Sequence, residues 1–164
     1  MKVLILGSDQ RGKDFLKGTE VERLADPALL EEGKQYDVIL CEQLLQMVTR
    51  AEVVPYLEKL KNYLVPDGEL WVSTPALELA ARQIIQQPDP QPETYIAIYG
   101  PDALQYKSGF TLLWLRMAME HVGYLIKRAS QEMVQYERDG QKRQTLQNLV
   151  IGIKHASDPA TAID

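Results

Sequence analysis

The sequence predicts an α/β fold, in which a mostly parallel β-sheet is flanked by helices and ends in an antiparallel C-terminal hairpin. Three observations support this prediction. Short apolar runs of the kind found in buried parallel strands open the chain and recur downstream. Segments with helical periodicity separate these runs, which is the alternation found in α/β proteins. Two long strand-like segments then close the chain around an Asp-Gly turn signal.

The first forty residues predict two strong strands with a short connection between them. Gly7 ends the first strand, and the polar stretch that follows it is expected to be mainly loop. The predicted elements are a strand at Lys2–Leu6, a loop at 8–18, a short strand at Val21–Ala25, one helical turn at Ala28–Glu32 and a strand at Tyr36–Cys41.

The next segment predicts a helix followed by a strand. Thr49 and Glu52 fit the S/T-x-x-E capping box that opens a helix. Apolar residues at spacings of four, three and four then define one helical face. These residues are Val53, Leu57, Leu60 and Leu64, and they are followed by a predicted turn at Val65–Gly68 and a strand at Glu69–Thr74.

The second half predicts two more helices and the terminal hairpin. Gly123 stands where a helix C′ residue is expected. The predicted elements are a helix at Ala76–Gln87, a loop at Pro88–Pro92, an irregular segment at Tyr95–Gly109, a helix at Thr111–Val122 and strands at Tyr124–Glu137 and Thr145–Lys154. We therefore expect a single domain over residues 1–155 and a flexible tail over residues 156–164.

Composition narrows the class of protein. The chain has 164 residues and a net charge of -5, which gives no indication of nucleic-acid binding. Its single cysteine, Cys41, excludes an internal disulfide. The two histidines, His121 and His155, are too far apart in sequence to indicate a metal site. The apolar runs are too short for a signal peptide or a membrane span, so we expect a cytoplasmic protein with no membrane partner.

Three segments, taken together, resemble class I S-adenosylmethionine-dependent methyltransferases. YDVILCEQLLQMV, from Tyr36, is similar to the fourth strand of that family and the turn after it. VVPYLEKLKNYLVPDGELWVSTP, from Val53, resembles the next helix, the L-x-P-G-G turn and the fifth strand. IYGPDALQYKSGFTLLWLRMAMEHVGY, from Ile98, resembles the later part, in which a Gly-Phe-Thr helix start leads towards the sixth strand. This resemblance, over most of residues 36–154, implies a Rossmann-like fold and S-adenosylmethionine as cofactor.

The resemblance also implies a cofactor site, whose candidate residues are Gly7, Ser8, Asp9, Asp26 and Glu42. LILGSD resembles the first glycine motif of the family, although Asp9 stands where a second glycine is expected. Asp26 resembles the acidic residue that lies near the adenine. Only about thirty residues separate the first strand from YDVILC. The family fits two helices and two strands there, so its ribose-binding acid has only Glu20 and Glu22 as candidates.

Each candidate has an alternative interpretation that the sequence leaves open. Gly7 either allows close approach of the cofactor or simply ends a strand. Asp26 either accepts a hydrogen bond from adenine or forms an Asp-Pro turn. Glu42 either contacts the methionyl amine or the acceptor, or is a solvated loop charge. Cys41 is expected to be a buried strand residue rather than a nucleophile.

The function predicted first is methyl transfer from S-adenosylmethionine to oxygen or nitrogen of a small-molecule or sugar-type acceptor. The second hypothesis is a non-catalytic descendant of this fold that serves in binding or assembly, because part of the cofactor motif is missing. A third is a Rossmann-like protein for another nucleotide, although the full G-x-G-x-x-G motif is absent. The predicted partners are a small-molecule acceptor and a second copy of the chain, with nucleic acid disfavoured. The irregular segment before the Gly-Phe-Thr helix either recognises the acceptor or packs onto the domain.

Overall fold

A computed structural model of the chain describes residues 1–7, 18–24, 27–87, 92–100, 106–138 and 140–156, and its named strands all lie in one mixed sheet. The strands are β1 (Lys2–Gly7), β2 (Glu20–Leu24), β3 (Tyr36–Glu42), β4 (Leu64–Pro75), β5 (Tyr124–Arg138) and β6 (Gln141–Lys154). The helices are α1 (Val53–Asn62), α2 (Leu77–Gln86), α3 (Pro92–Tyr99) and α4 (Leu112–His121).

The sheet has the strand order β2-β1-β3-β4-β6-β5. Strands β2, β1, β3 and β4 pair in parallel, whereas β6 runs antiparallel to both β4 and β5. This arrangement confirms the predicted fold class. Because β2 lies on one side of β1 and β3 on the other, the strand order reverses between β1 and β3. The crevice beyond the carboxyl ends of these two strands is therefore the topological switch point, where ligands bind in open α/β sheets.

Both faces of the central strands are buried. Helices α1 and α4 cover one face, where the strand side chains are Leu4, Leu6, Ile39, Cys41, Leu70, Val72 and Val150. The opposite face carries a smaller cluster of Val3, Ile5, Val38 and Leu40. Burial on both faces explains why β1 and β3 are continuous apolar runs rather than alternating ones.

The helix predicted after Thr49 is present, with two changes at its ends. The Glu52 carboxylate accepts hydrogen bonds from the backbone N–H and the hydroxyl of Thr49, at 2.8 and 2.6 Å. These contacts close a 3₁₀ turn at Arg50–Glu52, and α1 begins only at Val53. Leu64, predicted as the last apolar residue of the helix, is instead the first residue of β4.

The turn predicted at residues 65–68 is instead a bulge within β4. Tyr36 of β3 pairs with Leu64, but Val38 already pairs with Glu69, so the bulge accommodates the extra residues. Asp67 there has a φ of 60°, a conformation that Asp tolerates better than most residues. The turn prediction was wrong because β4 pairs with β3 both before and after the bulge, at Leu64 and at Glu69. Pairing with a distant strand cannot be read from the local sequence.

Part of the segment predicted to be irregular is helical. Helix α3 occupies Pro92–Tyr99, and its first residue is a proline, which is tolerated where a helix begins. The helix is held against α2 by the hydroxyl of Thr94, which donates to Gln83 Oε1 at 2.9 Å. Residues 106–109 are irregular, as predicted. The prediction failed for α3 because its packing partner lies outside the local sequence.

Helix α4 and the hairpin follow the prediction closely. Trp114 N donates to the Thr111 hydroxyl at 3.1 Å, which caps the start of α4, and Gly123 follows its end with a φ of 87°. Strands β5 and β6 pair along their full length, and β6 begins four residues earlier than predicted. Only residues 147–153 of β6 also pair with β4, so the far end of the hairpin extends beyond the sheet.

The predicted domain boundary at residue 155 stays a prediction, since residues 157–164 lie outside the described residues. Within the described ranges, no helix combines the length and the apolar character that crossing a membrane requires.

Candidate functional site

The candidate site lies at the switch point, where three neighbouring parallel strands end. Gly7 ends β1 and pairs with Glu42, the last residue of β3. Glu42 in turn pairs with Ser73 of β4. The register of the sheet therefore places the two predicted residues, Gly7 and Glu42, side by side at the edge where the fold binds ligands.

The backbone requires glycine at position 7. Its φ is 90°, in the region that residues with a side chain rarely adopt. A Cβ built on Gly7 would overlap the carbonyl oxygen of Glu42 and lie 2.9 Å from Leu44 Cγ. Gly7 thus allows β1 to end in close contact with the main chain of β3, which keeps the crevice between them free of a side chain.

Glu42 is a buried acid, with 2% of its surface exposed. The interpretation of Glu42 as a solvated loop charge is therefore wrong, because β3 runs one residue further than predicted and includes it. Gln43 follows with a φ of 56°, and this change of backbone direction ends the strand. A buried acid at the edge of the sheet where ligands bind is a candidate functional group, because buried ionisable residues concentrate at functional sites.

Polar side chains that sequence analysis did not select adjoin Glu42. Gln43 N donates to Ser73 O at 3.1 Å, and Gln46 Nε2 donates to Gln43 Oε1 at 3.0 Å. We call Glu42, Gln43, Gln46 and Ser73 the strand-end polar cluster. Within the described part of the chain, Gln43 Nε2, Gln46 Oε1 and Ser73 Oγ are buried without a hydrogen-bond partner. Buried polar atoms are normally satisfied, so three unpaired atoms in one cluster mark it as a candidate ligand site.

The signal for these residues was present in the sequence but weak. Gln and Ser are common in loops, and no motif marks them. They do follow or end two strands that are predicted to be parallel neighbours, and the carboxyl ends of such strands meet at one edge of the sheet. The positions could have been selected on that ground, although their burial could not.

The irregular segment before α4 is packed against the strand-end polar cluster. The backbone N–H groups of Lys107 and Ser108 donate to Gln46 O at 2.7 and 3.2 Å. The Ser108 hydroxyl donates to Val48 O at 2.7 Å. Of the two interpretations left open, packing onto the domain is the one that these contacts support for residues 107–108. Tyr95 and Tyr99, in contrast, are 44% and 67% exposed.

Three of the predicted cofactor residues, Ser8, Asp9 and Asp26, lie outside the described residues. The two candidates for a ribose-binding acid, Glu20 and Glu22, lie away from the carboxyl end of β2, where a ligand would bind. Glu20 is the exposed first residue of β2, at the amino end of the strand. Glu22 lies in mid-strand, where the Tyr36 hydroxyl donates to it at 2.8 Å and lowers the pKa of its carboxyl. Neither acid reaches the carboxyl edge of the sheet.

Cys41 is fully buried in the main core, as predicted for a strand residue. Burial raises the pKa of its thiol to about 12. A thiol in this state is a poor nucleophile because the thiolate is the reactive form.

We expect Cys41 not to react with Ellman's reagent at about pH 8 in the folded protein. In concentrated urea the single thiol should react fully. Because the folded state keeps a proton that the unfolded chain releases near pH 9.0, the free energy of unfolding should also fall as pH rises from there towards 12. Rapid labelling of the folded protein, with its circular dichroism unchanged, would contradict the assignment of Cys41 to the core.

Comparison with known proteins gives no sequence match: no protein-family model and no curated protein matches the chain. Solved structures do match. A SAM-dependent methyltransferase from Methanosarcina mazei superposes with a TM-score of 0.59 at 13% identity, over 94% of this chain and 92% of that one. The 1,6-didemethyltoxoflavin-N1-methyltransferase of Burkholderia thailandensis, with bound 1,6-didemethyltoxoflavin and S-adenosylhomocysteine, gives 0.59 at 16%, over 94% and 71%. The N-methyltransferase NodS from Bradyrhizobium japonicum gives 0.57 at 10%, over 94% and 85%.

These similarities define the class of fold. The chain has the α/β fold of class I S-adenosylmethionine-dependent methyltransferases, with the antiparallel strand β6 inserted between β4 and the edge strand β5. At identities between 10% and 16% they define the fold alone, and function has to be argued from the site.

Proposed function

We propose that the protein is an S-adenosylmethionine-dependent methyltransferase that acts on a small molecule. The observation that carries this proposal is the buried carboxylate of Glu42, which pairs with Gly7 at the switch point of a methyltransferase fold. The strand-end polar cluster adds buried hydrogen-bonding atoms without partners among the described residues. Unpaired polar atoms of Gln43, Gln46 and Ser73 beside a buried acid are the arrangement expected of a ligand site.

The groups present fit the cofactor. S-adenosylmethionine carries an amino group and a sulfonium, and a buried carboxylate favours a cation as its partner. We assign Glu42 to that cationic part, with Gln43 and Ser73 supplying further hydrogen bonds. Gly7 keeps the crevice open, and Ser8 and Asp9 continue the chain from it.

Asp26 is reassigned from adenine to the ribose. It follows β2 by two residues, and β2 pairs directly with β1. In the family that the sequence resembles, the acid after the strand next to β1 binds the ribose hydroxyls. We therefore propose that the short connection between β1 and β3 retains this acid as Asp26, in place of Glu20 or Glu22.

Methyl transfer from a sulfonium requires little of the protein beyond alignment of the acceptor atom, the methyl group and the sulfur. When bound, S-adenosylmethionine would supply a methyl group to an acceptor oxygen or nitrogen: the bond to the methyl carbon forms as the S–CH₃ bond breaks, the sulfur keeps the electron pair as a neutral thioether, and the acceptor's proton is released to solvent. The chain's own residues have to hold the reacting atoms in line and exclude water. The burial of Glu42 and Ser73 fits a water-excluded site of this kind.

The direct test is calorimetry with S-adenosylmethionine and S-adenosylhomocysteine on the whole chain. We expect saturable binding of both. A thermal shift should accompany it, because ligand at about a hundred times its Kd stabilises a protein by about 2.7 kcal/mol. If neither compound binds at about millimolar concentration, the proposal is wrong and a non-catalytic descendant of the fold becomes the better description.

Asp26→Asn should weaken binding of both compounds by about 10- to 100-fold, because it removes charge-assisted hydrogen bonds to the ribose. The measurement is the calorimetric Kd. Glu32→Gln is the matched control, since Glu32 is an exposed acid a few residues further along the chain. Unchanged affinity in Asp26→Asn, with binding intact in the parent, would show that Asp26 is not the ribose acid.

A further inference from the structure

A cavity of about 400 Å³ lies beyond the end of β4, at the edge of the sheet formed by the carboxyl ends of the parallel strands. Its walls are the facing sides of α2 and α3 and the extended part of the β5–β6 hairpin. The volume lies in the range of small-molecule sites. Among the residues that line it are Ala80, Gln83, Thr94, Met133, Gln144 and Leu146.

The cavity lies beside the site already described. Ser73 belongs to the strand-end polar cluster, and Ala76, three residues further along the chain, lines the cavity. Ala76 N donates to Leu146 O at 3.2 Å, which joins the end of β4 to the hairpin wall. A molecule in the cavity would therefore sit at the same edge of the sheet as Glu42 and Gly7.

The described part of the lining is uncharged. Of the described residues that line the cavity, none is Asp, Glu, Lys, Arg or His, and the polar ones are glutamines and threonines. Alanines, leucines and Met133 supply the rest. Hydroxyl and amide groups of a ligand could pair with the Gln and Thr side chains, whereas a charged group would find no opposite charge among the described lining residues.

Gln83 is the polar residue whose orientation is defined best. The Thr94 hydroxyl donates to Gln83 Oε1, and Thr94 itself is only 4% exposed. This hydrogen bond identifies the oxygen end of the Gln83 amide and leaves its two N–H groups as donors. The cavity therefore presents a positioned donor that suits a hydroxyl or carbonyl oxygen.

We propose that this cavity binds the methyl acceptor and that the acceptor is an uncharged molecule bearing hydroxyl or carbonyl groups. This inference rests on the proposed methyltransferase function, because it takes the neighbouring crevice as the cofactor site. It goes further in naming the acceptor's chemistry and in assigning Gln83 as a residue that contacts it.

The test uses three probes of matched size on the full chain: the para-nitrophenyl glycosides of glucose, glucuronic acid and glucosamine. At about pH 6 they are respectively neutral, anionic and cationic, since the amine of a glucosaminide titrates close to neutrality. Binding is followed by NMR through the Met133 methyl and the Gln83 side-chain amide, with and without S-adenosylhomocysteine. We expect saturable shifts with the neutral glycoside and binding at least about tenfold weaker with either charged one.

Gln83→Glu should retain the acceptor oxygen used by Thr94 but place a negative charge in the cavity. We expect it to weaken the neutral glycoside about tenfold and to leave the Kd of S-adenosylhomocysteine unchanged. Gln35→Glu makes the same change at an exposed position directly before β3, at the amino end of the strand and outside the lining residues, and is the control.

The two proposals fail in different ways. If S-adenosylhomocysteine binds but the neutral glycoside shifts neither reporter, or binds no better than its charged analogues, the acceptor inference is wrong and the methyltransferase proposal stands. If the neutral glycoside binds as expected but S-adenosylhomocysteine does not bind at all, the methyltransferase proposal fails and the acceptor role fails with it.

Discussion

Gly7→Ala is expected to lower the free energy of unfolding by about 3 kcal/mol or more. Two effects combine at this position: a φ of 90°, which strains any residue with a side chain, and overlap of the new Cβ with the Glu42 carbonyl oxygen. The β3 backbone cannot move away easily because β3 is hydrogen-bonded on both sides, to β1 and β4. Thermal unfolding should show a fall in Tm of about 6–12 °C for a chain of this length.

Gly33→Ala separates the two effects. Gly33 has a similar φ of 82°, but a Cβ there would meet nothing within 4 Å. Only backbone strain applies, so we expect a loss of about 1 kcal/mol. Equal losses for the two variants would show that the close approach of β1 to Glu42 has no energetic consequence.

Glu42→Gln is expected to weaken S-adenosylmethionine binding by about 10- to 100-fold. The substitution keeps the size of the buried side chain but removes the charge that we assign to the cationic part of the cofactor. Comparison of the two ligands locates the contact. An equal loss for S-adenosylmethionine and S-adenosylhomocysteine indicates the amino group, which both carry, whereas a larger loss for S-adenosylmethionine indicates the sulfonium.

Glu20→Gln is the control for Glu42→Gln. It removes the same charge from β2, but at the exposed amino end of the strand, so affinity should not change. If Glu42 serves only the fold, Glu42→Gln will alter the Tm of the ligand-free protein while the folded protein keeps its affinity. That result would remove the observation on which the proposed function depends.

Local sequence was sufficient for the elements whose signals are short-range. Thr111 and Gly123 mark the two ends of α4, and the Asp-Gly pair indicated the hairpin. Elements that depend on a distant partner were predicted less well. Helix α3 is held by Thr94 against α2, and the bulge before Glu69 exists because β4 pairs with β3 on both sides of it.

The features of the candidate site also separate into those that local sequence predicts and those that depend on distant partners. The sequence by itself determined that Gly7 ends a buried strand, that Cys41 lies inside one and that an acid follows near position 42. Only the tertiary structure decided that Glu42 is buried, that it lies beside Gly7, and that Gln43, Gln46 and Ser73 join it. The physical reason is that burial and strand register are set by pairing between segments more than thirty residues apart, which no local pattern encodes.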